Sequence, residues 1–214
     1  MDELKMKKLN SGRQYRKIGV PLKTRKKEDS DEKVVEGYAT TFDSEYELYR
    51  FGNTTLYESI DKRAFDDCDM SDVIMQFDHT GFVYARCRND TLKLDIDDHG
   101  LKVTANLGGN ERGRMLFEDI DKGYIDRMSF GFTVGGTERT IVDDEESGTR
   151  EVHIRITKIN KLYDVSAVSI PANDMTELSS RSLFDGVIKE LEAERMREEK
   201  RKKRLKLIIE TELN

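Results

Sequence analysis

The chain reads as an α+β domain that is mainly β. Three observations carry that reading. Apolar residues alternate with small or polar ones over short stretches, which is the period of a strand. Turn-forming clusters recur between those stretches at close spacing. Strands and helices do not follow one another in the regular rhythm of a βαβ fold. The pattern predicts about seven strands and one or two helices, arranged as a small barrel or a strongly curved sheet.

Taken in order, the elements are these. Between Leu4 and Lys27 there are ten Lys and Arg and no acidic residue, and Gly12, Gly19 and Pro21 interrupt any helix. Residues 1–32 therefore read as a disordered basic arm. Residues 33–181 read as the folded domain. Val34 to Phe42 is a strand whose Gly37 and Ala39 make one face small. Tyr57 to Cys68 reads as a short helix around Ile60, Ala64 and Phe65. Val73 to Phe77 is a buried strand that ends in a turn at Asp78-His79-Thr80-Gly81. Leu92 to Ile96 and Leu101 to Leu107 alternate on either side of Asp97-Asp98-His99-Gly100, a hairpin. Asn110 caps a helix from Glu111 to Lys122, and Gly123 ends it. Gly135 to Arg150 reads as an acidic loop, with Asp143-Asp144-Glu145-Glu146 placed beside a substrate cleft or at a solvated hairpin tip. Val152 to Ile156 and Leu162 to Ile170 are two further strands, the second stopped by Pro171. Residues 182–214 read as a charged helical tail, in which Phe184, Ile188 and Leu191 begin an apolar stripe. Between Lys189 and Lys206, 14 of 18 residues are charged.

Composition narrows the function. The formal charge of −6 argues against general nucleic-acid binding, and no aromatics interleave the basic clusters at the two ends. No apolar run approaches the roughly 20 residues of a membrane helix. The N-terminal lysines are followed by no apolar stretch, so no secretory signal is expected. Cys68 and Cys87 are the only cysteines. They make neither a disulfide framework nor a CxxC, which fits a reducing, cytoplasmic setting.

The most informative run is Met128-Ser129-Phe130-Gly131-Phe132-Thr133-Val134. Its bulky apolar residues face one way and its small residues the other, so Ser129 is offered on a cleared face. Gly131 beside it leaves room for a substrate backbone or bends the strand. Of the three histidines, His99 falls in a turn and His153 on the polar side of its strand. His79 follows a buried strand directly, a position that suits either a structural or a catalytic histidine. Asp164 is a lone carboxylate in an apolar strand and is costly there unless paired, although an edge aspartate in water reads the same way. Together Ser129, His79 and Asp164 have the residue types of a nucleophile, base and acid. Two other readings use the same residues: a non-catalytic assembly protein, and a metal site from His79, Asp78 and Asp164. The last lacks the spacing of a known zinc motif, and no cofactor is expected.

At the level of motifs, the chain resembles the tailed-phage prohead proteases, serine proteases of capsid maturation related to the herpesvirus assembly proteases. The resemblance spans Val34 to Arg181. It rests on six blocks in order: Gly37-Tyr38-Ala39-Thr40-Thr41-Phe42; Glu58-Ser59-Ile60 with Ala64-Phe65; Gln76-Phe77-Asp78-His79; Thr91-Leu92-Lys93-Leu94 with Asp98-His99-Gly100-Leu101; Met128-Ser129-Phe130-Gly131-Phe132; and Leu162-Tyr163-Asp164-Val165-Ser166-Ala167-Val168 with Pro171-Ala172. The resemblance implies a closed β-barrel flanked by helices, with 33–181 as the protease domain. It puts the nucleophile on Ser129, the histidine on His79 and the acid on Asp164. That last position is often Glu in the family, and the shorter Asp requires a closer backbone. The resemblance also implies action inside the procapsid, in the bacterial cytoplasm. The implied partners are the major capsid protein with its scaffold segment, and the protease itself as a substrate.

Overall fold

The computed structural model describes residues 12–18, 21–26 and 32–169, together with 193, 195–197, 200–206 and 208–209. The chain divides into two compact units, Met1–Asp174 and Met175–Asn214. In the second unit the described residues are helical. The apolar stripe expected at Phe184, Ile188 and Leu191 and the Pro171-Ala172 block lie outside the described residues. No helix among the described residues is long and apolar enough to cross a membrane.

The first unit is mainly β, and among the described residues its strands pair into two sheets; the closed barrel implied by the resemblance is not found among them. The larger sheet orders β1 (Gln14–Ile18), β10 (Arg127–Asp144), β11 (Thr149–Val168), β5 (Thr54–Ile60) and β4 (Tyr46–Phe51). The short strand β6 (Ile74–Phe77) also pairs with β11, and β7 (Thr80–Arg86) pairs with β6. The smaller sheet orders β2 (Lys23–Lys26), β3 (Lys33–Thr41), β9 (Gly100–Asn106) and β8 (Leu92–Ile96). One buried cluster draws on both sheets, through Val35 and Val103 on one side and Phe130, Phe132 and Ile156 on the other. Helix α1 (Glu111–Asp121) adds Leu116, Phe117 and Ile120 to it. Burying each of these side chains contributes about 1.5–3 kcal/mol.

Several elements form where the sequence puts them, and for the expected reasons. The Asn110 side chain accepts from the Gly113 N–H at 2.9 Å and caps α1. Gly123 follows the helix with φ +76°, and its N–H reaches the Ile120 carbonyl. Asp97 ties the β8–β9 turn by accepting from the backbone N–H groups of His99 and Gly100 at 2.8 and 3.0 Å.

Other expectations are corrected. Residues 14–18 and 23–26 of the basic N-terminal segment are strands, so a disordered arm is not what they form. The short helix expected over Tyr57 to Cys68 is instead the end of β5 followed by a 3₁₀ turn at Lys62–Phe65. Thr54, Thr55 and Tyr57 favour extended backbone, and both edges of β5 are taken, by β4 and β11. The acidic loop expected over 135–150 is largely strand, because β10 and β11 continue pairing as far as Asp144 opposite Thr149. The two strands expected at 152–156 and 162–170 are one long β11.

Candidate active site

The β10–β11 pairing sets the first two groups. Ser129 lies opposite Ser166, and Gly131 lies opposite Asp164. Side chains two apart on a strand share a face, so Ser129, Gly131, Asp164 and Ser166 all stand on one side of the sheet. The apolar set Met128, Phe130 and Phe132 is buried on the other side.

His79 arrives from the neighbouring strand. β6 runs parallel to β11, with Gln76 beside Ser166 and Phe77 beside Ala167. The chain then reverses through Asp78 and His79, at φ 47° and 58°, before Thr80 pairs back onto Phe77. Two consecutive left-handed residues make the tight hairpin turn whose twist suits flanking strands. Neither residue is glycine, so the turn is strained and has to be held. Asp78 supplies the hold: its carboxylate accepts from the Ser169 N–H at 3.0 Å and the Ser169 hydroxyl at 2.7 Å. The Asp78 N–H donates to the Ala167 carbonyl at 3.0 Å.

The result is a linear array. His79 Nε2 lies 2.6 Å from Ser129 Oγ, and His79 Nδ1 lies 2.5 Å from Asp164 Oδ1. The sequence-selected residues are thus brought together, and Asp164 reaches the ring despite its short side chain. Asp164 is fully buried, and its carboxylate has three kinds of partner. Burial pushes its pKa up, but hydrogen bonds from His79 and Ser166 and the nearby Arg13 charge outweigh this, so the net shift is downward. Ser166 Oγ donates to Asp164 Oδ1 at 2.7 Å, and Arg13 pairs with Oδ2. The Asp78 carboxylate is engaged with Ser169. Among the described residues no three His, Cys, Asp or Glu side chains form a group that could hold a metal ion.

Three residues at the site were not singled out from the sequence. Ser166 could have been, because it sits two positions from Asp164 on the same strand. Arg13 and Tyr15 gave no such signal. The Tyr15 ring packs on His79 with centroids 4.2 Å apart, and the Arg13 guanidinium sits 4.7 Å from the centre of the Tyr163 ring. Gly131 has a different task from the one expected. A Cβ there would collide with the Asp164 carboxylate and come within 2.9 Å of Arg13 Nε and the Tyr15 ring. Its emptiness is filled by the site itself. Ser129 does not lie on a cleared face either, because it is 0% exposed. The acidic run Asp143–Glu146 lies at the far end of the β10–β11 ribbon from Ser129 and does not border the site. His99 is exposed in its turn, and His153 pairs with Glu45 at 2.8 Å, away from Ser129.

The family model described as caudovirus prohead serine protease matches residues 20–188. Among solved structures, the bacteriophage T4 capsid assembly protease gp21 is similar at 13% identity, over 74% of this chain and 98% of that chain, with a TM-score of 0.41. No curated protein matches.

Proposed function

Because the chain belongs to the caudovirus prohead serine protease family, we propose that it is an endopeptidase whose nucleophile, base and acid are Ser129, His79 and Asp164. One observation carries the assignment: a single imidazole bridges Ser129 and Asp164 through its two nitrogens, at 2.6 and 2.5 Å. Neutral His79 with its proton on Nδ1 donates to Asp164 and accepts the Ser129 hydroxyl proton at Nε2. Ser129 Oγ then attacks the scissile carbonyl. His79 returns the proton to the leaving amine, and water repeats the sequence to free the acyl-enzyme. Asp164 stays ionised throughout. It fixes the tautomer and offsets the imidazolium charge, a role consistent with its lowered pKa.

The substrates follow from the family's biology and not from the geometry. The reading is cleavage of scaffold, or of the scaffolding segment of the major capsid protein, inside the procapsid in the host cytoplasm, and cleavage of the protease itself. A non-catalytic assembly protein that keeps the fold would have no need of a hydrogen-bonded Ser129 and His79, and their separation weighs against it.

Co-expression with the cognate capsid protein followed by intact mass tests the reading. Ser129→Ala and His79→Ala are each expected to lower turnover by on the order of 10⁶, which abolishes visible processing. Asp164→Asn is expected to cost about 10⁴. Processing by Ser129→Ala at the wild-type rate would remove the assignment.

A further inference from the structure

β1 occupies the one edge of the nucleophile strand that another peptide could use. β11 takes one side of β10 over residues 127–134, and β1 takes the other, running antiparallel with Gln14 opposite Phe132, Lys17 opposite Ser129 and Ile18 opposite Met128. On the site face, Tyr15 lies over His79 and Arg13 over Asp164. With β1 in place Ser129 is 0% exposed, so no scissile carbonyl can reach its hydroxyl. A hydrolytic site in this condition is closed.

The way β1 is held suits reversible docking. Among the described residues it is an edge strand, paired with β10. Its described core-facing side chains are Gln14 and Arg16, both polar. Arg16 pairs with Glu58, the two side chains being 5% and 3% exposed, and it also donates to Gln14 Oε1 at 2.7 Å. Glu58 in turn accepts from the Tyr46 hydroxyl. A buried ion pair gains little net free energy, because desolvation offsets most of the attraction. Among its described side chains β1 therefore docks through charge and main-chain pairing, and none of them adds a buried apolar group of the kind that fixes the neighbouring strands. Segments of that kind open locally while the rest of a domain stays folded. β1 also lies before the stretch 20–188 that the family model matches.

We infer that β1 is a latch seated in the substrate's own place: the β10 edge at residues 128–132 accepts an extended peptide by antiparallel main-chain pairing, and β1 must leave before that peptide can enter. This rests on the reading of Ser129 as nucleophile. It makes the substrate an extended segment that competes with residues 14–18 for one strand edge.

A fluorophosphonate probe tests this on the full chain. It phosphonylates an activated serine with loss of fluoride, and the labelled residue is mapped by mass. In Ile18→Cys/Met128→Cys, whose backbones are register partners across the pair, an oxidised disulfide ties β1 down. Labelling of Ser129 is expected to fall at least about tenfold on oxidation and to return on reduction. Arg13→Gln/Tyr15→Ser removes the two contacts on the site face without a core change. It is expected to label about tenfold faster than wild type, the factor equivalent to about 1.4 kcal/mol of lost docking. Label on Ser129 that is indifferent to the tether, or a double variant that labels at or below the wild-type rate, overturns the latch and makes β1 a working part of the site. No label on Ser129 in any form, reduced and variant included, overturns the nucleophile reading and the latch with it.

Discussion

Gly131 is small because Asp164 needs its space. Any side chain there meets the acid, Arg13 and Tyr15 together. Gly131→Ala is therefore expected to cost about 1–3 kcal/mol by overpacking and to displace Asp164 from His79. Urea denaturation together with the labelling rate of Ser129 checks both effects. The acid also sets a pH response. Its folded pKa is lowered, so its contribution to stability is fully present above the unfolded value of about 3.9 and is lost as pH falls through the folded value. Against Asp164→Asn, the wild type is expected to lose stability relative to the variant below about pH 4 and to hold a constant difference above it. Urea midpoints from pH 2.5 to 7 read this out. At this scale the proximity of Ser129, His79 and Asp164 was legible from two sources: a short list of candidates, with three histidines and one carboxylate in an apolar strand, and the family resemblance that chose among them. Arg13 and Tyr15 were not, because only the pairing of β1 onto β10 brings them near His79 and Asp164. No local pattern encodes that pairing.

Among the elements, the turn at Asp78-His79 fixes where His79 stands. It bends back on two left-handed residues, and the Asp78 carboxylate, tied to Ser169, holds the bend that aims His79 at Ser129. Asp78→Ala loses the tie and keeps the left-handed strain of about 1–2 kcal/mol. It is expected to destabilise the domain by that order and to slow processing, whereas Asp78→Asn, which tolerates the same conformation, is expected to do less of both. Thermal denaturation and the processing assay separate the two variants. The sequence showed this turn, the β8–β9 hairpin and α1, since each has its own capping or turn chemistry. It did not show β4 or β7, which are edge or near-edge strands; in β7 the residues from Thr80 to Val83 are all exposed, so no in-and-out alternation marks it. The ribbon from Gly135 to Arg150 was missed for the same reason: it pairs beyond the core, and Arg150 meets Asp143 across the strands at 2.6 Å instead of burying apolar groups.

Across the whole molecule, the two sheets share one core and β11 organises the larger of them. It pairs with β10 along most of its length, with β5 in parallel near its start and with β6 in parallel near its end. The spacing of the strands predicts a small barrel or a strongly curved sheet, and the resemblance a closed barrel; closure depends on which edges pair, and periodicity does not record that. The pairings of β11 with β5 and β6 join segments far apart in sequence, and such topologies fold slowly. Refolding is expected on the order of milliseconds to seconds, followed by far-UV circular dichroism because the chain has no tryptophan. A submicrosecond phase carrying the full amplitude would contradict this topology. The position of β11 also imposes a schedule during synthesis. Ribosomes add about 5–20 residues per second, so His79 is made several seconds before Asp164. For the first part of that interval the nascent chain has the histidine alone; Ser129 then arrives on β10, still without Asp164 or the strand that carries it. The proposed site is thus completed only when β11 is made, after most of the first unit has been synthesised.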